Sequence, residues 1–172
     1  MKTTDQIAVI GAGLAGLTVA RALSDAGHDV VVFDKGRGLG GRMASRRRDG
    51  WRFDHGAIAL RPTDQAFAEF ITQIEAGGFA AHWQDAGGWI GLPGMSGSVK
   101  SMAQSRTVHN EAEVTGLDRS GDTGTLQGVE HAQGVGFDRL ILAIPQPQAL
   151  RLLSQWPDVQ AQIAPATVTP CW

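Results

Sequence analysis

The sequence of 172 residues contains one cysteine, Cys171, and no tyrosine. A single cysteine excludes an intrachain disulfide and a site built from paired cysteine ligands. No stretch of about 18 apolar residues occurs, which excludes a transmembrane helix. The first residues lack the basic and apolar regions of a signal peptide and lead directly into a predicted strand. These absences favour a reduced, cytoplasmic compartment.

The formal net charge of −2 gives no general attraction to nucleic acid or to an anionic membrane, so we expect neither as a partner. One local cluster is basic, and we interpret it as a solvated face beside a phosphate site. Only Trp51 and Phe53 lie nearby to stack on bases, which disfavours nucleic-acid binding. The five histidines show no metal-ligand spacing, so no metal site is predicted. The clustered arginines are Arg42, Arg46, Arg47, Arg48 and Arg52.

The most informative pattern is Gly-X-Gly-X-X-Gly at residues 11–16, which follows an apolar run at residues 7–10. Leucines and alanines then recur at helical spacing, and a second apolar run ends at Asp34. A strand before the motif, a helix after it and an acid about 20 residues further on are what a dinucleotide-binding βαβ unit requires. The sequence therefore predicts an α/β fold with a parallel sheet and a dinucleotide ligand such as FAD or NAD.

Each glycine of the motif has a separate physical role. Gly11 allows a sharp turn out of the strand, Gly13 lets a pyrophosphate approach the backbone, and Gly16 lets the helix pack closely on the sheet. The helix N-terminus directs free N–H groups at the phosphates. Asp34 accepts a hydrogen bond from a ribose hydroxyl and disfavours the 2′-phosphate of NADP. The alternative is a glycine-rich turn in some other α/β domain.

A second glycine-rich stretch, residues 35–43, follows the second predicted strand directly. Gly40 and Gly41 allow another close approach of the backbone, and the guanidinium of Arg42 is suited to pairing with phosphate oxygens. A plain NAD dehydrogenase would not continue from Asp34 with such a loop. The alternative for Arg42 is a solvated surface arginine.

The glycine motif, Asp34-Lys35, residues 40–43 and residues 53–57 together resemble the FAD-dependent amine-oxidase superfamily. Residues 89–96 and 142–148 resemble segments of its renalase-like bacterial branch. The resemblance follows the chain order over nearly its whole length. It implies a Rossmann-like FAD/NAD(P)-binding domain with a parallel sheet and an added β-hairpin or meander.

The resemblance also implies a place for each part of the cofactor. The first glycine loop would line the FAD pyrophosphate, and Asp34 with Lys35 beside it would hold the adenosine ribose. Arg42 would lie along the pyrophosphate and ribityl region, and the Val114 backbone would contact the adenine. Residues 56 and 57 would pass along the flavin ring. The implied cofactor-binding residues are Gly11, Ala12, Gly13, Ala15, Gly16, Asp34, Lys35, Gly41, Arg42, Gly56, Ala57 and Val114.

Two features depart from the family. Renalase-like proteins follow the Gly-Ala pair with Gln-Tyr and another aromatic residue, whereas this chain has Ile58-Ala59-Leu60. Family members are also much longer, and nothing after Pro145 fits their C-terminal Gly-Asp motif. Residues 169–172 resemble a mid-chain strand of the family. We therefore expect one FAD-binding domain over residues 1–172, with residues 58–92 as a partial substrate-side insertion and most of the substrate domain lacking.

The resemblance implies FAD-dependent oxidation of a reduced nicotinamide-type or amine substrate, with oxygen as electron acceptor. No catalytic side chain is recognisable in the sequence. One alternative is a catalytically inactive, truncated dinucleotide-binding remnant that self-associates or is completed by another polypeptide. The other alternative is a small NAD-dependent dehydrogenase, although the sequence shows no catalytic residues for it.

Periodicity and turn residues predict the remaining elements. A helix capped by Thr63 is expected to end at Gly77, and strands are expected at residues 107–110 and 112–118. Residues 125–131 are predicted as a hairpin arm, residues 139–144 as a fully buried parallel strand, and residues 148–155 as a helix.

Overall fold

The central sheet has four parallel strands in the order β10-β1-β2-β7. The structure is a computed structural model that describes residues 4–167 and 169. Cys171 and most of the predicted strand at 169–172 lie outside these residues. The strands are β1 (Gln6–Ile10), β2 (Asp29–Phe33), β3 (Ser45–Arg48), β4 (Trp51–Asp54), β5 (Ala80–Trp83), β6 (Gly88–Gly91), β7 (Thr107–His109), β8 (Gly116–Ser120), β9 (Thr123–Gln127) and β10 (Arg139–Leu142).

Three antiparallel pairs, β3-β4, β5-β6 and β8-β9, flank the sheet as separate hairpins. Five α-helices complete the described chain: α1 (Leu14–Asp25), α2 (Gln65–Ala76), α3 (Gly97–Ala103), α4 (Gln146–Leu152) and α5 (Pro157–Gln160). The chain is therefore a mixed α/β structure with a Rossmann-like parallel sheet, as the sequence predicts.

Strand β1 occupies an interior position, with β2 on one side and β10 on the other. The chain proceeds from β1 to β2 and outward to β7, and returns to the opposite side of β1 at β10. The strand order thus reverses between β1 and β10. In open α/β sheets, ligands bind at such a switch point, beyond the carboxyl ends of the strands.

The two faces of β1 belong to two different cores, because successive side chains of a strand point to opposite faces. Ile7 and Val9 pack in one cluster with residues of α1, α2 and α3. Ala8 and Ile10 pack in the other with Phe33 and with residues of the β8-β9 hairpin. Burial on both faces accounts for the continuous apolar run of this strand.

The predicted helix after the first glycine motif is confirmed as α1. Gly16, Leu17 and Ala20 form its buried stripe, which gives close contact with the sheet. The helix ends at Asp25 and is capped by Ala26, and Gly27 follows with a φ of +90° that is readily adopted only by glycine.

Several predicted boundaries are wrong. Asp64, not Thr63, caps α2, because its carboxylate accepts from Phe67 N at 2.9 Å. Residues 112–115 are not a strand, since Ala112 N donates to the Asp34 carbonyl outside any ladder. The hairpin arm ends at Gln127, and residues 130–132 form a 3-10 turn.

The last sheet strand and its helix also differ from expectation. Strand β10 stops at Leu142 and is only half-buried, because it lies at the sheet edge and pairs with β1 alone. Helix α4 begins at Gln146, two residues before the predicted start. Strands β3, β4 and β5 are not predicted from the sequence. Strand β3 is missed because its three arginines indicate a solvated charged run and not a strand.

Within residues 4–167 and 169, none of the helices combines the length and hydropathy needed to cross a membrane. The same residues contain no cluster of three or more histidine, cysteine or acidic side chains that would suit a metal ion.

The cap of α2 gives a direct stability test. Asp64→Ala removes the acceptor for Phe67 N, and we expect it to lower the free energy of unfolding by about 1 kcal/mol. Thr63→Ala is the matched control and is expected to change it by less than about 0.5 kcal/mol. Urea denaturation measures both variants, and a larger effect from Thr63 would contradict the assigned cap.

Candidate dinucleotide-binding site

The first glycine loop, residues 11–16, turns at the carboxyl end of β1. Gly11 N donates to the Phe33 carbonyl at 2.8 Å, and Ala143 N donates to the Ile10 carbonyl at the same distance. Gly11 has a φ of +109°, and a Cβ there would lie 2.6 Å from the Ala143 oxygen. The turn is thus fitted between the ends of β2 and β10, at the switch point of the sheet.

Gly13 and Gly16 are glycines for different reasons. A Cβ on Gly16 would overlap the Gly11 carbonyl oxygen, so α1 packs backbone against backbone on the turn. Gly13 has a φ of −78°, which any residue adopts, and the nearest atoms to its Cβ would be 4.0 Å away. Packing and backbone conformation do not require glycine at position 13. A ligand that approaches the main chain would account for glycine at this position.

The N-terminus of α1 follows Gly13 directly in the chain. Leu17 N donates to the Gly13 carbonyl at 3.0 Å, so the N–H groups of Leu14, Ala15 and Gly16 have no acceptor within the helix. No side chain of the described residues caps this end, and its first turn has no acid. Three N–H groups and the positive end of the helix dipole therefore remain available for an anion.

The second glycine loop, residues 36–43, lies directly against the first. Gly40 N donates to the Ala12 carbonyl at 2.9 Å, and a Cβ on Gly41 would lie 3.3 Å from the Gly13 Cα. Gly40 and Gly41 have φ angles of +116° and +55°, which favour glycine. Two loops that are separate in the sequence thus form adjacent walls beside Gly13.

The segment at residues 56–58 continues from the second loop. Ala57 N donates to the Arg42 carbonyl at 2.9 Å, and a Cβ on Gly56 would overlap that same carbonyl oxygen. Gly56 and Ala57 are exposed, and Ile58 is 61% exposed. The structure therefore joins all three motif blocks through main-chain contacts and leaves the third block uncovered within the described chain.

Asp34 connects the end of β2 to the first loop. Its Oδ2 accepts from Ala12 N at 2.6 Å, and its Oδ1 accepts from Gly36 N at 2.7 Å. In the main chain, Asp34 N donates to the His109 carbonyl and the Asp34 carbonyl accepts from Ala112 N, each at 2.9 Å. The sequence analysis predicts an acid here but misses its bonds to the loop, because Ala12 approaches Asp34 only through the tertiary fold.

Val114 and Lys35 lie on the same side of the sheet end. Val114 is 8% exposed and packs in the core cluster that contains Phe33 and Ala112. Lys35 Nζ lies 4.0 Å from Glu113 Oε1, and both side chains are more than half exposed. Such a surface pair contributes little stability. The cofactor contacts of both residues stay a prediction.

A ring stack at the carboxyl end of β7 was not foreseen from the sequence. His109 stacks on Phe33 at 5.3 Å and on the exposed His131 at 4.4 Å between ring centroids. Burial, and secondarily the nearby His131, lowers the pKa of His109 below its usual 6.5. The two histidines come from separate elements, so neither spacing nor periodicity indicates the pair.

The arginine run forms the β3-β4 hairpin. Arg46, Arg47 and Arg48 are exposed, in keeping with a solvated face, and Arg48 pairs with Asp49 at 3.4 Å. A shallow cavity of about 260 Å³ at the tip is lined by Arg47, Arg48, Asp49, Gly50, Trp51 and Arg52.

Part of the chain is similar in sequence to known proteins. Residues 9–74 match the family described as NAD(P)-binding Rossmann-like domain. A stretch of 58 residues is 47% identical to 4,4'-diapophytoene desaturase (4,4'-diaponeurosporene-forming) from Staphylococcus aureus strain MRSA252. The alignment covers 33% of this chain and 12% of the desaturase. The relatives from strains Newman and USA300 match over the same shares of each chain.

Solved structures share the fold at low sequence identity. A fatty acid isomerase from P. acnes has a TM-score of 0.67 at 15% identity, with 88% of this chain and 62% of that chain covered. A putative protoporphyrinogen oxidase from Exiguobacterium sp. 255-15 has a TM-score of 0.60 at 14% identity, and the match covers 91% of this chain and 63% of that chain. Putrescine oxidase, solved as the wild type bound to putrescine, has a TM-score of 0.59 at 16% identity, and the match covers 87% of this chain and 60% of that chain. This chain thus spans under two thirds of each neighbour.

The contrast between Gly13 and Gly16 predicts opposite effects of the same substitution. Gly13→Ala is expected to change the free energy of unfolding by less than about 1 kcal/mol but to weaken dinucleotide binding about tenfold or more. Gly16→Ala forces a Cβ into the Gly11 carbonyl and is expected to cost about 3 kcal/mol of stability. Urea denaturation and nucleotide titration measure the pair. Equal loss of stability in both variants would contradict the assigned roles.

The histidine stack predicts a pH dependence of stability. A lowered pKa means that folded His109 holds its proton less tightly than the unfolded chain does. The free energy of unfolding therefore falls as the pH drops through 6.5 toward the lower folded value. His131→Gln removes the second charge, so the pKa of His109 should rise while remaining below its usual value. Proton NMR titration of the imidazole measures this, and an unchanged or lower pKa would contradict the stack's role.

Proposed function

We propose that this chain, whose residues 9–74 match the NAD(P)-binding Rossmann-like domain family, belongs to the FAD-dependent amine oxidase and desaturase superfamily and binds FAD as part of a flavin-dependent oxidoreductase. The proposed reaction oxidises a reduced nicotinamide-type or amine substrate, in the manner of renalase-like enzymes, with oxygen as electron acceptor. The proposal also names FAD, rather than NAD(P), as the resident dinucleotide.

The single observation that carries the proposal is that neither packing nor backbone conformation requires glycine at position 13. A Cβ at Gly13 would meet no neighbour closer than 4.0 Å, and the N–H groups without an acceptor at the start of α1 follow Gly13 directly in the chain. The Gly40–Gly41 main chain lies beside Gly13, in contact with it. This cradle of main-chain groups suits a pyrophosphate, whose charge the helix N-terminus stabilises.

The residues on either side fit the two ends of a flavin dinucleotide. Asp34 directly follows β2, and Val114 lies between β7 and β8 and packs in the cluster that contains Phe33, where the adenosine would be held. Gly56, Ala57 and Ile58 extend from Arg42 on the other side and expose main chain and an apolar side chain. When bound, the flavin takes up a hydride from the substrate. The role of Ile58 would be to exclude water from the ring.

The described residues beside the expected flavin position support binding and orientation rather than proton transfer. Residues 53–60 contain two titratable side chains, Asp54 and His55. Asp54 Oδ1 already accepts from the Ser45 hydroxyl and from Met95 N at 3.0 Å, which anchors this segment to the start of α3. His55 is exposed. A catalytically inactive dinucleotide-binding protein is therefore the second candidate function.

The first test is a set of nucleotide titrations followed by absorbance and calorimetry. FAD and ADP should bind and FMN should bind more weakly, because most of the contacts assigned here are made with the ADP half. Gly13→Ala should weaken FAD and ADP together. Binding of FMN as tight as that of FAD, or no binding of either ADP or FAD, would contradict the proposal.

The second test separates the two candidate functions. FAD-loaded protein is mixed anaerobically with isomeric dihydro forms of NAD(P) and with amines, and the visible absorbance of the oxidised flavin is followed. Bleaching, with recovery on admission of oxygen, supports the oxidoreductase. Stable binding without bleaching by any of these substrates supports the inactive dinucleotide-binding protein.

A further inference from the structure

We propose that Asp34 is a positioning residue that holds both glycine loops in their phosphate-binding arrangement. This role is separate from, and additional to, any bond between its carboxylate and a ribose. The inference rests on the proposed function, because it assigns to the pyrophosphate the cradle described above. It also predicts a measurable property of the ligand-free protein.

Both carboxylate oxygens of Asp34 are occupied by main-chain donors. Oδ2 accepts from Ala12 N at 2.6 Å and Oδ1 accepts from Gly36 N at 2.7 Å, which are short distances typical of charge-assisted hydrogen bonds. The main chain of Asp34 is itself fixed between His109 and Ala112. The carboxylate is therefore a rigid point at the end of β2, from which two loops are held.

The bond to Ala12 reaches further than the first loop. The carbonyl of Ala12 accepts from Gly40 N at 2.9 Å, so Ala12 is held by Asp34 through its N–H and holds the second loop through its oxygen. Commitment of the Ala12 N–H to Asp34 also leaves the N–H groups from Leu14 to Gly16 as the donors for a phosphate. A carboxylate oxygen has two lone pairs, so Asp34 retains acceptor sites for a ribose hydroxyl.

A positioning role and a role limited to the ribose predict opposite changes for a probe that has no ribose. Inorganic pyrophosphate is such a probe. If Asp34 held only the ribose, loss of its negative charge would leave pyrophosphate binding unchanged or strengthen it, since like charges repel. If Asp34 shapes the loops, its replacement by asparagine weakens pyrophosphate binding, because an amide nitrogen cannot accept from a main-chain N–H.

We call the two hydrogen bonds from Ala12 N and Gly36 N to the Asp34 carboxylate the clamp, and two variants disturb it in different ways. Asp34→Asn keeps the shape and removes the charge. Gly36→Ala keeps the charge, but its Cβ would lie 2.9 Å from Asp34 Oδ1 and displace the carboxylate. The matched controls are Asp29→Asn, which removes a charge from the opposite end of β2, and Gly136→Ala, whose Cβ would lie 3.3 Å from Thr123 and outside both glycine loops.

The experiment measures inorganic pyrophosphate by its competition with ADP, so that both probes report on the same site. We expect both clamp variants to weaken pyrophosphate and ADP by about tenfold, and both controls to change them less than twofold. Loss of ADP affinity with unchanged or tighter pyrophosphate in Asp34→Asn would overturn the positioning role while leaving the proposed function intact.

A ligand-free readout keeps the two hypotheses distinguishable. In ¹H–¹⁵N spectra of the wild type, the amides of Ala12 and Gly36 should be shifted downfield and protected from exchange. At least one of the two signatures should be lost in Asp34→Asn, because only one acceptor atom remains, and both should be retained in Asp29→Asn. Ordinary shifts and rapid exchange in the folded wild type would overturn the clamp. If the wild type shows the shifted and protected amides of Ala12 and Gly36 but binds neither ADP nor pyrophosphate, the proposed function is contradicted and the structural role of Asp34 stands.

Discussion

The close approach of α1 to the turn after β1 is the constraint on which the rest of the structure depends. It exists because Gly16 has no side chain to hold the helix away from the Gly11 carbonyl. The same approach directs the first N–H groups of the helix over the carboxyl end of the sheet. Burial of Leu17 and Ala20 against β1 supplies the hydrophobic stabilisation that maintains this position.

The site is built almost entirely from main chain. The first loop is hydrogen-bonded to the second through Ala12 and Gly40, and the second is bonded to the 56–58 segment through Arg42 and Ala57. Because these contacts use peptide groups, the arrangement of the loops does not depend on the side chains of residues 58–60. Under the proposed function, Ile58-Ala59-Leu60 would alter the surface beside a flavin and leave the nucleotide cradle unchanged.

Sequence analysis succeeds where structure is local. The β1-α1-β2 unit is predicted because apolar periodicity and the glycine motif lie within one continuous stretch of chain. Strand β3 is missed because its exposed arginines carry no alternating apolar pattern. Residues 112–115 are mispredicted as a strand because their apolar character reflects packing against Phe33, not a ladder. The double acceptance by Asp34 arises only when distant loops meet, so no sequence pattern reports it.

The central claim is that the described chain already contains a formed pyrophosphate cradle along its two adjoining glycine loops. A crystal structure of the protein with ADP tests this most directly. The account predicts phosphate oxygens within hydrogen-bond distance of the N–H groups that begin α1, beside both Gly13 and Gly41, with both loops unmoved. ADP bound elsewhere, or loops that separate to admit it, would contradict the account.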